Sequence, residues 1–382
     1  MRTSLIGALL LLPLAAGPPA QGGKPLAGPA LERALRQAAP GLTPAQPQRP
    51  RRLLLFTLTR GFFHEVIPKA ARAFVIMGEK SGAYTATLSR DPLDFLPERL
   101  EHYDAVCFLN TTGAVFRSEK AVDYGNRVDQ LGRIRASLEE LVALEGKEVP
   151  PKMKPFLDRL LPDRADGPIT KVEAALLRRQ LARAGVEQER LRKLLAREDQ
   201  EKRLLASLLA WLRAGGGFVG IHAATDTCKH LPAYLEMVGG CFDGHPWRAE
   251  MTVAIKLDEP DNPINAPFKG KGFTIQEEIY QFMDPFSRDR VRVLLSLRMQ
   301  GAKEKLTGIR GKRGDRDYAV SWIRRYGRGR VFYCSLGHNL STFLDRKVMR
   351  HYLAGIQFAL GDLAVGGWPE EAKEKEAKED KG

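Results

Sequence analysis

In the stretch GGGFVGIHAATD an apolar run ends at Ile221, and His222 comes next, with Gly220 before it and Ala223 and Ala224 after it. Small neighbours are required in a sharp strand-to-helix turn, because bulk on either side would clash where the turn pushes one side chain out of the sheet edge. A histidine there points into the crevice at the carboxyl ends of the strands, where open α/β sheets take ligands. It is also expected at a helix N-terminus, whose positive end disfavours imidazolium and leaves a neutral ring suited to metal ligation or base catalysis. The alternative for His222 is a hydrogen-bonded core histidine.

Three more histidines fall at strand ends or in adjacent loops. His338 comes after RVFYCS in SLGHN, His64 after LLLFTLT in TRGFFHE, and His245 lies in GGCFDGHPW. Glu277, Glu278 and Asp226 bring carboxylates from neighbouring segments. The catalytic candidates are His222 and His338 as acid/base groups, with Glu278 or Asp226 as supporting carboxylate. His222, His245 and His338 form a candidate ligand set for a divalent metal such as zinc, although their spacings match no standard zinc signature. His64 and His245 are candidates for holding substrate, and Trp247 and Tyr280 for stacking on a sugar ring. His102, His230 and His351 sit on helix-like or polar loop segments and read as structural.

The elements that must position these groups emerge from hydropathy. LLLFTLT and DAVCFLN are continuous apolar runs with VIPKAARAFVIMGEKSG at helical spacing between them, the pattern of buried parallel strands covered on both faces. FVGI, MTVAIKL, FTIQEEIYQF, RVRVLLSL, YAVSWIRRY and GRVFYCSL supply further strands, and KVMRHYLAGIQFALG a closing helix. Residues 117–203 differ: they are charged, punctuated by leucine and poor in β-branched residues, which predicts an amphipathic helical insertion. Basic and acidic residues interleave along it, so a solvated helical hairpin or a docking surface for a protein partner is expected.

The ends have their own character. Arg2 precedes an apolar run that closes in small residues, the layout of a signal peptide over residues 1–20, so an exported protein, periplasmic or extracellular, is expected. The run is too short to span a bilayer, and no transmembrane segment is expected once it is removed. Residues 21–51 read as a Pro/Ala-rich linker, and 363–382 as a charged, disordered tail. Of the four cysteines, Cys107 and Cys334 lie in apolar runs as small core residues, whereas Cys228 and Cys241 flank one stretch near His222 and could bridge. At 382 residues with 43% hydrophobic content, the chain can bury a large core. The formal net charge of +14 raises nucleic acid as a ligand. No run interleaves Lys or Arg with exposed aromatics, so no nucleic-acid partner is expected.

Together TRGFFHE, YDAVCFLNTTG, GGGFVGIHAATDT, VGGCFDGHPW, IQEEIYQF and WIRRYGRGRVFYCSLGHN resemble, in order, the motifs of the ThuA-like (trehalose-utilisation) family, which is related in fold to class I glutamine amidotransferases. The resemblance covers residues 52–116 and 204–362. It implies a flavodoxin-like α/β domain over 52–362, with a mostly parallel sheet and helices on both faces, interrupted by the 117–203 insertion. It also implies a carbohydrate-related role, of trehalose or keto-sugar type, with His64, His222, His245 and His338 on matching motif positions. The related amidotransferases carry a cysteine on the elbow and its partner histidine at a later strand end. Here His222 stands in the cysteine's place and His338 in the partner's. A histidine cannot form the glutamyl thioester, so glutaminase activity is not expected. The resulting expectation is a sugar-processing hydrolase or isomerase, with a divalent metal as its candidate cofactor; the alternative is a non-catalytic sugar-binding or assembly module.

Overall fold

The computed structural model describes residues 27–198, 200–299 and 313–368. The expected signal peptide, and the tail beyond residue 368, lie outside them. The strands are β1 (Arg52–Phe56), β2 (Thr85–Ser89), β3 (Ala105–Leu109), β4 (Gly217–Ile221), β5 (Cys241–Phe242), β6 (Thr252–Leu257), β7 (Phe273–Gln276), β8 (Phe282–Met283), β9 (Arg292–Leu297), β10 (Ala319–Tyr326) and β11 (Gly329–Cys334). The helices are α1 (Gly28–Ala38), α2 (Ile67–Ser81), α3 (Pro97–Leu100), α4 (Glu119–Val142), α5 (Lys154–Leu160), α6 (Lys171–Glu198), α7 (Glu201–Arg213), α8 (Pro232–Val238) and α9 (Arg346–Leu360).

Nine strands form one sheet in the order β2-β1-β3-β4-β11-β10-β9-β6-β7. The first five are parallel throughout and reproduce the flavodoxin order, in which ligands bind where the strand order reverses. The remaining four continue the sheet with antiparallel pairings. The apolar runs of β1 divide between two layers as the pleat demands: Leu53 and Leu55 face the side covered by α1, α2 and α9, and Leu54 and Phe56 the side covered by α7 and α8. Both layers are closed, which is why these strands read as continuous hydrophobic stretches.

The structure departs from the sequence-based expectations at several places. The segment FTIQEEIYQF is not one strand; it breaks between β7 and β8, and the break holds Glu277, Glu278 and Tyr280. Part of the expected linker is a packed helix: α1 buries Leu35 and Ala38, and Glu32 pairs with Arg72 of α2 at 2.6 Å. The start of the expected tail also belongs to the domain. Trp368 is buried against Phe358, with the guanidinium groups of Arg292 and Arg325 each 4.9 Å from its ring. Cys228 and Cys241 are free and buried, as are Cys107 and Cys334, so the considered bridge is absent.

The insertion is helical as expected. Helices α4 and α6 form a hairpin with α5 at its far end, and its core of Leu138, Leu141, Met153, Leu157, Ile169, Ala174 and Leu177 is separate from the two layers around the sheet. At its base Arg117 donates to the buried Glu201 carboxylate at 3.1 Å, and His230 meets the same oxygen at 2.7 Å.

His351, on α9, is fully buried between the Ile264 carbonyl and the Ser321 hydroxyl, and burial pushes its ring down to about 4. Between that value and the ordinary 6.5 the unfolded chain binds a proton that the folded chain does not. Stability is therefore complete above about pH 6.5 and falls as pH drops towards 4, by on the order of 3 kcal/mol. Urea denaturation at pH 7 and pH 4.5 should show a smaller pH-dependent loss in His351→Gln than in the parent; equal losses would refute the assignment.

Candidate metal centre at the strand ends

The loops that leave β1, β3, β4 and β11 at their carboxyl ends converge. His222 is the first residue past β4 and has φ +52, a left-handed conformation uncommon for a non-glycine residue. Gly220 must lack a side chain, since a Cβ there would lie 2.9 Å from the Tyr333 ring. The chain beyond β4 makes one short 3-10 turn, His222–Asp226, and the next helix, α8, begins only at Pro232. The expected helix N-terminus beneath the ring is thus absent, and hydrogen bonds set its state instead.

The His222 ring is completely buried, with Nδ1 2.7 Å from the Ser335 carbonyl. A carbonyl only accepts, so Nδ1 carries the proton and Nε2 keeps its lone pair. Nε2 lies 2.9 Å from the Tyr280 hydroxyl and 3.4 Å from Oε2 of Glu278. The lone pair can accept from the Tyr280 hydroxyl, and it also faces the Glu278 carboxylate at a distance that a cation, a proton or a metal, would bridge.

Glu278 is the hub. Its Oε2 is 3.3 Å from Nδ1 of His338, and its Oε1 is 3.4 Å from Nδ1 of His245. The His64 ring stands 4.8 Å from that of His222 and 5.3 Å from that of His338, centroid to centroid. One ligand atom from each of His64, His222, Glu278 and His338 lies within 4.8 Å of the other three. Nδ1 of His64 is buried without a hydrogen-bond partner, and Nδ1 of His338 is buried with Glu278 as its neighbour. Burial first, then repulsion from His222 and His338, pushes the His64 ring down to about 2, so it is neutral with a free lone pair. Burial alone would raise the Glu278 carboxyl, yet His222 and His338 hold it well below the usual carboxylate range. Burial works against the charged form of His338, but Glu278 raises it overall.

The neighbouring Glu277 faces the other way and is fully buried. It accepts from the backbone N–H groups of Glu278 at 2.9 Å and of Gly337, His338 and Asn339 at 3.2 Å, and from the Thr342 hydroxyl. This carboxylate fixes the loop that carries His338.

Of the sequence candidates, the structure brings together His222, His338, Glu278 and His64, the last as a candidate ligand beyond the substrate-holding role expected for it. His245 belongs to the expected metal set, but it touches only the outer oxygen of Glu278 and stands outside the group of four. Tyr280 meets the site through its hydroxyl while its ring is buried, and Trp247 is buried against Tyr318 with ring centroids 4.7 Å apart. Neither offers a face to a sugar. Asp226 pairs with Lys229 at 3.3 Å, and burial raises its carboxyl. It lies near His222 without joining the cluster. Sequence reasoning missed the anchoring role of Glu277, the Ser335 carbonyl that sets the His222 tautomer, and Thr112, whose hydroxyl ties down the loop before His64 at the Phe62 carbonyl, 2.8 Å away.

The molecule is therefore an open α/β protein with flavodoxin strand order and a histidine-carboxylate cluster at its carboxyl edge. Residues 191–359, which include β4, β11, His222, His245, Glu278 and His338, match the ThuA family model, described as trehalose utilisation. Among solved structures it is similar to a ThuA-like protein from Bacteroides uniformis, at 18% identity over 81% of this chain and 93% of that one, with a TM-score of 0.49. A ThuA-like protein from Parabacteroides merdae is 11% identical over 84% and 94% of the two chains, with a TM-score of 0.44. No curated protein matches.

Proposed function

We propose that this chain is an enzyme that hydrolyses or isomerises a sugar or an oxidised sugar derivative, using a divalent cation, zinc being the best fit, held by His64, His222, Glu278 and His338. The observation that carries the reading is the four converging ligand atoms, with the buried Nδ1 of His64 lacking a hydrogen-bond partner and the buried Nδ1 of His338 facing Glu278. Around a tetrahedral zinc, with ligand distances near 2.1 Å, neighbouring ligand atoms stand about 3.4 Å apart. The His222–Glu278 and His338–Glu278 separations, 3.4 and 3.3 Å, already match that edge. Three nitrogens and one oxygen also suit zinc as a donor set.

When bound, the cation would polarise a sugar carbonyl or hydroxyl oxygen. The chain's own part is to orient the ligands. Ser335 fixes the tautomer of His222, and Glu277 holds the backbone of His338. His245, with a side chain 36% exposed, is the group free to move a proton at the rim. Export by the leader at residues 1–20 is part of the proposal, supported by the charge and hydropathy of that segment. No described helix is long and apolar enough to cross a membrane.

Elemental analysis of the purified protein should find about one zinc per chain, and Glu278→Gln should lose most of it. A melting-temperature screen of disaccharides and keto-sugars should give shifts that a chelator abolishes. Metal-free protein that zinc does not stabilise would overturn the proposal.

A further inference from the structure

The aromatic faces open to solvent near the cluster are Phe62 and Phe63, 66% and 51% exposed, on the loop that carries His64. Among the described residues they are the exposed Phe, Tyr or Trp side chains. The loop is clamped to the segment after β3: Arg60 N–H donates to the Thr112 carbonyl at 2.7 Å, Gly61 N–H to the Thr112 hydroxyl at 3.3 Å, and that hydroxyl to the Phe62 carbonyl at 2.8 Å. Gly113, at φ +73, allows the close approach, since a Cβ there would lie 2.7 Å from the Arg60 backbone. Two large apolar rings are thus presented to water by a fixed backbone. The Phe62 ring stands edge-on to His64 with centroids 4.8 Å apart, so the exposed pair begins where the cluster ends.

A pyranose ring carries polarised C–H bonds on its faces and hydroxyl groups around its rim, and the negative face of an aromatic ring accepts the former. The cluster, with its charged and lone-pair-bearing groups, suits an oxygen of the sugar undergoing reaction. The phenylalanines, beyond His64, suit the ring attached to it. We infer that Phe62 and Phe63 form a subsite for the second ring of a disaccharide or other glycoside. This rests on the reading of the site as sugar-processing.

The test uses the full chain loaded with zinc, and calorimetric titration with trehalose, maltose, cellobiose and glucose. At least one disaccharide should bind the parent about tenfold more tightly than glucose, the size expected of one or two aromatic stacking contacts. The Phe62→Ser/Phe63→Ser double variant should lose that preference while keeping its zinc. Phe63→Leu, which leaves the Phe62 contact to His64 intact, should lose part of it. An unchanged preference in the double variant overturns the inference, as does a parent that binds no disaccharide better than glucose. A parent dimer that the substitutions dissociate also overturns it and makes the rings an interface between copies. If zinc is absent but the phenylalanine-dependent preference remains, the metal reading fails and the subsite stands.

Discussion

His222→Asn is expected to weaken zinc binding by about 100-fold or more, since even loss of a group that merely supports a ligand costs about 10- to 100-fold. Asparagine is the informative replacement because it tolerates the positive φ at this position, which alanine would strain. Competition against a chromogenic chelator measures the affinity, and activity on any sugar found in the screen should fall with it. His245→Ala provides the contrast. Its ring reaches only the outer oxygen of Glu278, so its effect on zinc affinity should stay below about tenfold. Equal zinc affinity in the parent and His222→Asn would remove His222 from the centre.

Glu277→Ala is expected to cost about 3 to 5 kcal/mol of stability, the largest loss from a single polar residue here. It strips the acceptor from four backbone N–H groups and one hydroxyl in a fully buried setting, and each donor left unpaired carries a desolvation penalty of about 1 to 3 kcal/mol, partly relieved by relaxation or entering water. Glu277→Gln preserves the shape but turns an amide N–H₂ towards donors, and should fall between the parent and alanine. Urea denaturation gives the values; a loss under about 1 kcal/mol for Glu277→Ala would mean the loop at His338 is held by other contacts.

The parallel strands are legible in the sequence because both faces of the sheet are covered, which makes LLLF and AVCFL apolar without alternation. The positions of His64, His222 and His338 are legible for a related reason: each comes soon after such a run, and parallel strands bring their carboxyl ends to one edge. The distinct roles of Glu277 and Glu278 are not. Adjacent carboxylates in a strand-like segment look equivalent until the amides of Gly337, His338 and Asn339 come from a distant part of the chain to bind one of them. Trp247 and Tyr280 mislead for the same reason, since only the packed structure shows which aromatic faces are covered. The arm before β1 reads as loose because Ala, Pro and Gly dominate it. In the fold, α1 is packed by a single periodic stripe with Leu35 at its centre, together with ion pairs to α2 that no local pattern announces.

The pinned base of the helical hairpin leaves room for this insertion to vary. Because Arg117 and Glu201 bring the two ends of the insertion together, the crossover from β3 to β4 is closed at its foot whatever lies beyond. Doubling the length of a flexible connection adds only about 0.6 kcal/mol of closure entropy. The hairpin, with a core of its own, therefore behaves as an exchangeable cassette. Its length and surface can change without moving the residues that define the centre.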